Sequence, residues 1–258
     1  GNTTDKNLRK MEARKKLNSV KNQINLFKPK YTIPFASMVY FSHDENSYMN
    51  DSINTIQDVV GTIKKTASTP IVLFPGDEWE IDSHHNSENS EKKYQPFYDF
   101  NNKMYNSSEK ILSISELQSL STDYIHKTFK NNNKLLMVFL SFIPLIGLSP
   151  IKIFLIDLNK KVSFDFIRGL TINNDQKEPD VKMSSDSLSF IFKFDWGLDT
   201  LFVNARFQST NRGRKKLFKI FSAGPLNNMG KKFGFSLLTD PVFCFTIIKR
   251  AFLKQRGV

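Results

Sequence analysis

Residues 151–166, IKIFLIDLNKKVSFDF, alternate twice. Ile151, Ile153 and Leu155 fall on one side of an extended chain, and Val162, Phe164 and Phe166 repeat the pattern beyond Asn159-Lys160. A period of two on both sides of a turn-forming asparagine predicts a β-hairpin with one buried face. Downstream, Phe190, Phe192, Phe194 and Trp196 alternate again, followed across Gly197 by Leu201, Val203, Ala205 and Phe207. That spacing predicts a second hairpin. Lys215–Phe221 and Pro241–Leu253 return to helical spacing. Of the 24 phenylalanines 17 lie in 139–258, so the apolar mass is concentrated there. The expectation is a C-terminal α+β domain over 135–258, with a curved antiparallel sheet covered by helices.

Upstream, Leu135–Ile151 is uncharged but contains Pro144, Gly147 and Pro150. It is shorter than the ~20 residues a bilayer requires, so it predicts a buried helix followed by a turn and no transmembrane segment. Ser115 with Gln118 is a capping-box pattern for a helix running to about Phe129. Residues 82–110, with His84-His85, repeated Asn, Ser and Glu and few aliphatics, predict an exposed excursion, which makes 83–134 a linker and helix. In residues 1–82, Leu8, Met11, Leu17, Val20, Ile24 and Phe27 outline a first helix, capped by Thr3 or Thr4 and stopped by Pro29. The run 31–41, YTIPFASMVYF, predicts a buried strand. Ile53, Ile56, Val59, Val60 and Ile63 predict a second helix capped by Asn50, Asp51 or Ser52. Thr69–Phe74 predicts another buried strand and Glu78–Ile81 a short edge strand. Helix, strand, helix, strand is the grammar of an α/β layered fold.

The 258 residues are 40 % apolar and 24 % charged, values that exclude wholesale disorder, collagen-like sequence and coiled coil. Cys244 is the sole cysteine, which excludes an internal disulfide and every cysteine-cluster metal site and suits a reducing, cytoplasmic setting. No secretory signal is visible, and the start at Gly1 suggests a fragment or a processed chain. The net charge of +12 is unevenly spread: residues 1–30 carry +7, residues 205–258 carry +11, and the body between them is acidic. Two basic ends favour anionic partners such as phosphorylated metabolites or lipid headgroups, although charge runs also serve as plain solvated surface. No aromatic–basic RNA-binding motif, helix-turn-helix signature or zinc spacing points to specific nucleic acid.

Residues 33–51, IPFASMVYFSHDENSYMND, with Phe74-Pro75-Gly76-Asp77-Glu78-Trp79-Glu80, resemble the C-terminal half of a metallo-β-lactamase-fold protein. The branch is that of the CMP-N-acetylneuraminate hydroxylases and related bacterial metallo-hydrolases. Residues 180–207 resemble the sheet of the sterol-carrier-protein type two fold. The resemblance implies the second half of an αββα sandwich over 1–82, followed by a sterol-carrier-like domain. It further implies a parent metal-dependent hydrolase or hydroxylase-like enzyme acting on an anionic small molecule, with zinc or iron in the complete protein and none in this chain alone. The family's His-x-His-x-Asp-His cluster is missing, and Ala36 in Pro34-Phe35-Ala36 stands where relatives carry a histidine ligand. A missing N-terminal half or a partner chain would have to supply the remaining donors.

The candidate residues follow. His43 closes the predicted strand beside Asp44 and Glu45 and is a candidate metal ligand or base, or a surface histidine next to two acids. Asp44 and, through the Gly-Asp resemblance, Asp77 are further metal candidates, while Asp77 in Pro-Gly-Asp also fits a plain β-turn. His84-His85 and His126 read as loop and helix-surface residues, and Cys244 as an inert thiol between phenylalanines. Phe192, Phe194, Trp196 and Phe202 form either ordinary core or the lining of an acyl tunnel, since alternation is the same for both. Arg212, Arg214 and Lys215 are positioned in sequence to meet an anionic headgroup.

Overall fold

The computed structural model describes residues 2–35, 39–99, 110–143, 148–234, 239 and 241. The predicted helix over 241–253, Cys244 and Ala36 lie outside these. The chain divides into two compact units, Gly1–Ser107 and Ser108–Val258, and the described residues are mixed α and β.

In the first unit α1 (Lys6–Phe27) forms as its periodicity predicts, but its start is Asp5 without a side-chain cap, and Lys28 in the left-handed region ends it before Pro29. The predicted buried strands shrink. β1 (Tyr31–Thr32) pairs in parallel with only two residues, after a 3-10 turn and α2 (Ile56–Ile63), of β2 (Thr69–Pro70). Ile33, Phe35 and Val39 are 42 %, 84 % and 47 % exposed, so the described apolar residues of the run that looked buried lie largely at the surface. The physical reason is proline at both ends: Pro34 and Pro70 each remove a ladder donor. Glu78–Ile81 forms no strand. α2 begins at Thr55, whose hydroxyl accepts from Asp58 N while Asp58 returns the bond to Thr55 N. This displaces the cap expected at Asn50–Ser52. α2 uses two faces: Val59 and Ile63 meet Ile24, Leu17 and Val20 of α1, whereas Ile56 and Val60 meet Val72, Tyr94 and Tyr98. Those tyrosines come from α3 (Ser87–Tyr94) and the 3-10 turn after it, so the stretch expected as an excursion supplies part of a core.

The second unit opens with α4 (Ile114–Asn131), capped by Ser113 and Glu116 rather than by the Ser115–Gln118 pair two residues on. Leu117 and Tyr124 are buried in this unit's core, so the helix expected within a linker is structural here. α5 (Lys134–Ser141) follows, but it buries only Met137 and Ser141, leaving Leu135, Phe139 and Phe142 exposed where a buried helix was expected. No helix among the described residues is long and apolar enough to cross a membrane. Next come β3 (Ile151–Leu155), β4 (Lys160–Asp165), β5 (Gly169–Ile172) and β6 (Val181–Met183). The predicted hairpin stands: Ile151 pairs with Phe164, Ile153 with Val162, Leu155 with Lys160. After β6 the chain forms α6 (Ser185–Lys193) and α7 (Gly197–Val203), then β7 (Gln208–Ser209), α8 (Asn211–Ile220) and α9 (Ala223–Asn228).

The sheet order is β5-β4-β3-β6-β7, antiparallel except where β6 lies parallel to β3. A crossover over residues 173–180 links β5 to β6, tied to the sheet by the Lys152–Asp175 ion pair and by Lys161 Nζ donating to the carbonyls of Asp175 and Lys177. The opposite face holds the core: Ile151, Ile153, Leu155, Val162, Phe164, Val181 and Met183 are all essentially inaccessible. Phe164 stacks on Phe221 with centroids 5.2 Å apart and an interplanar angle of 12°, and Tyr124 and Phe192 close the aromatic cluster.

The hairpin predicted over 190–207 is instead α6 and α7. Ser184 caps α6 by accepting from Ser187 N, Asp186 sits in its first turn, and Leu188, Ile191 and Phe192 turn inward. Asp157, in the β3–β4 turn, accepts from Ser185 N at 2.9 Å, and Ser185 Oγ accepts from Leu112 N. Gly197 then lets the chain fold back: a Cβ there would lie 2.4 Å from the carbonyl oxygen of Phe190.

Candidate functional site

α8 is the most sharply sided helix of the second unit. Thr210 caps it by accepting from Gly213 N at 3.0 Å. Gly213, Leu217 and Ile220, spaced four and three apart, face inward and are buried. Gly213 is where the helix meets β6: a Cβ there would fall 1.8 Å from the Asp180 carbonyl oxygen, so only glycine permits this approach. Lys216 adds an ion pair to Asp180 at 2.6 Å. With the inward face fixed, helical geometry turns the rest of NRGRKKLFKI outward. Arg212, Arg214 and Lys215 are accordingly exposed, and the first turn contains no acidic residue. Arg214 donates within its own turn, to Asn211 Oδ1 at 3.3 Å. Cations at a helix N-terminus oppose the macrodipole, which favours anions there by about 0.3–1 kcal/mol each. The arrangement is therefore unfavourable for the isolated helix and favourable once an anion arrives.

The aromatic quartet is not brought together. Phe192 is 4 % exposed, packed against Phe164 and Phe221, whereas Phe194, Trp196 and Phe202 are 52 %, 60 % and 48 % exposed. Of the two readings, ordinary core fits Phe192 alone; the other three are surface rings, because Phe192 lies on the inner side of α6, Phe194 follows its end, and Trp196 and Phe202 belong to the start and body of α7. Phe194 leans on Phe190 at 4.6 Å. Phe202 meets Phe218 edge-on at 5.1 Å, and Phe218 follows Arg214 and Lys215 by four and three residues on α8. The exposed rings and cations thus adjoin through the Phe202–Phe218 contact. Sequence spacing missed this surface; the signal for it was Ser184 with Asp186, a helix start that the Phe alternation masked.

The metal candidates fare differently. His43 N donates to Asn46 Oδ1, its carbonyl accepts from Asn46 N and Ser47 N, and its Nδ1 is buried with no hydrogen-bond partner among the described residues. Asp44 is exposed. Asp77 accepts from Lys93 Nζ at 2.7 Å, Ser90 Oγ and Phe74 N, contacts that hold its carboxyl well below the usual carboxylate range. Its lone pairs are engaged in pinning the Pro75-Gly76 turn to α3. Among the described residues no three His, Cys, Asp or Glu side chains gather. His43, Asp44 and Asp77 by themselves do not fit a zinc or iron centre. His85 Nε2 sits 2.6 Å from the Val72 carbonyl and anchors the segment read as a loose loop; His84 and His126 are exposed.

Two concavities mark the second unit. One, of about 660 Å³, lies beside the crossover on the outer face of the sheet and is lined by Phe154, Lys160, Lys161, Ile172 and Asp175 among others. The other, of about 290 Å³, is bounded by Phe142, Pro150, Asp165, Ile167 and Arg168. Neither includes any of the aromatic quartet. Comparison with protein-family models, with curated proteins and with solved structures finds no match to this chain.

Proposed function

We propose that this chain is a binding protein for anionic partners, with the outward side of α8 as its contact surface and the five-stranded sheet as its scaffold. The observation that carries this is the placement of Arg212, Arg214 and Lys215, exposed in the first turns of a helix whose inward face is locked by Gly213, Leu217 and Ile220. Three like charges at a positive helix end weaken the free protein, and such local conflicts concentrate at functional sites. A sterol-carrier-like second unit would rest on the five-stranded sheet alone, because most of the stretch that carried the resemblance, 180–207, forms α6 and α7 rather than sheet. The ligand would meet that unit from outside, since Phe192 is built into the packed aromatic cluster.

The test is binding of the full chain to heparin as salt is raised. A triple variant, Arg212→Glu, Arg214→Glu, Lys215→Glu, should elute at markedly lower salt, because each reversal exchanges attraction for repulsion within a Debye length of ~8 Å. Reversing Lys10, Lys16 and Lys21 of α1 should cost less. Equal loss from the two triplets would contradict the assignment to α8.

A second reading, that the parent is a metallo-β-lactamase-like metal-dependent hydrolase or hydroxylase, rests on the buried Nδ1 of His43, which has no hydrogen-bond partner among the described residues. It requires the other donors from outside the described residues. Zinc titration of this chain beside His43→Ala tests it: indistinguishable isotherms would remove His43 as a ligand.

A further inference from the structure

The basic side of α8 does not stand alone, and its apolar surroundings separate one kind of anion from the rest. α7 carries Trp196 at its start and Val203 at its end, seven residues and therefore about two turns apart on one side, with Phe202 next to Val203. These side chains are 60 %, 75 % and 48 % exposed. Phe202 reaches Phe218, the α8 residue in line with Arg214 and Lys215. Two acids flank the tryptophan: Asp195 is paired with Lys127 at 2.6 Å, and Asp199 lies in the first turn of α7 where the macrodipole favours it. A soluble polyanion would satisfy the cations and leave the tryptophan, phenylalanine and valine in water. A bilayer interface takes both, since tryptophan and phenylalanine partition to the headgroup boundary while lysine and arginine hold anionic headgroups.

We propose that the partner of this surface is an anionic lipid bilayer, which α7 and α8 meet edge-on. Trp196, Phe202 and Val203 enter the interface, and Arg212, Arg214 and Lys215 bind the headgroups. The proposal rests on the anion-binding function assigned above and names its partner. It differs from an interior lipid site in that no acyl chain enters the core. Another exposed apolar strip, Leu135 and Phe139 of α5 with Phe142 just after it, serves as its internal control, because α5 itself carries a single basic residue, Lys134.

The experiment uses the full chain with Trp79→Phe, so that Trp196 is the only tryptophan left. Vesicles of phosphatidylcholine are compared with vesicles that also contain phosphatidylserine, read by co-sedimentation and by tryptophan emission. Binding and a blue shift are expected with phosphatidylserine only. The Arg212, Arg214, Lys215 charge reversal should lower the partition coefficient by about a hundredfold or more, at about fivefold for each basic residue lost near such a surface. Trp196→Ala with Val203→Ser, both on exposed positions, should abolish sedimentation yet keep heparin binding, and Phe139→Ser should change neither. Heparin binding without vesicle binding would overturn the membrane partner and leave the anion surface standing. Failure to bind either would overturn both. A footprint lost with Phe139→Ser but kept with Trp196→Ala would move the contact to α5 and also overturn the proposal.

Discussion

Two basic helices, α1 and α8, look alike in composition and differ in what their apolar residues do. α1 carries Lys6, Lys10, Arg14, Lys15, Lys16 and Lys21 on an exposed surface, but it buries only Ile24 among its apolar residues and spends Arg9 inward on a pair with Asp51 at 2.9 Å. Leu8, Met11, Leu26 and Phe27 remain exposed between its cations. α8 buries every third or fourth residue against one sheet, and its cations fall on one side as a consequence. Basic composition makes a charged helix; only a fixed inward face makes a charged surface. The contrast extends to the units behind them. Among the described residues the second unit gathers a large core around Phe164, whereas the first shows two small clusters on either side of α2.

The largest expected difference is in core truncation. Phe164→Ala removes a ring stacked on Phe221 and touching Tyr124 and Phe192, and should cost about 3–5 kcal/mol in denaturant unfolding of the second unit. Ile24→Ala, in a cluster with few neighbours, should cost no more than about 2 kcal/mol, at the low end for such changes. Equal losses would erase the contrast between the units. Next in size is a pair of glycines. Gly213→Ala drives a methyl into the Asp180 carbonyl and should destabilise by about 1–3 kcal/mol, with a parallel loss of heparin affinity as α8 shifts. Gly61→Ala in α2 meets nothing within 4 Å and should stabilise by about 0.5–1 kcal/mol. The smallest effect is acidic. Asp77 is held below its ordinary value of 3.8, chiefly by the hydrogen bond from Lys93. A depressed carboxyl stabilises the fold fully above that ordinary value and loses its contribution as pH falls below it. An acid titration followed by Trp79 emission, with Trp196→Phe, should show Asp77→Asn flattening that decline in the first unit only.

The 151–166 hairpin was legible because nothing competes with its alternation: the strands are short, the turn has Asn159 at a φ of 49°, and every inward residue is fully buried. The 190–207 segment misled for a physical reason. Phe190 and Phe194 are one helical turn apart and meet at a tilt of 44°, Phe192 is buried in the core, and aromatics spaced by two across the end of α6 and the start of α7 mimic a strand. Ser184 and Asp186 carried the helix signal that the aromatics hid. In the first unit the sequence overstated the sheet, since Pro34 and Pro70 limit pairing to two residues a side. Arg212, Arg214 and Lys215 were visible as a basic run, but that they form one surface depends on Gly213 against Asp180, a long-range approach that local spacing does not encode.

Hydrogen exchange on the full chain, alone and with phosphatidylserine vesicles, tests the central claim most directly. The account predicts slowed exchange confined to residues 196–203 and 211–219, with β3, β4 and α4 already the most protected segments before vesicles are added. Slowed exchange centred on α1, or on the outer sheet face around Phe154 and Lys161, with 211–219 unchanged, would contradict it.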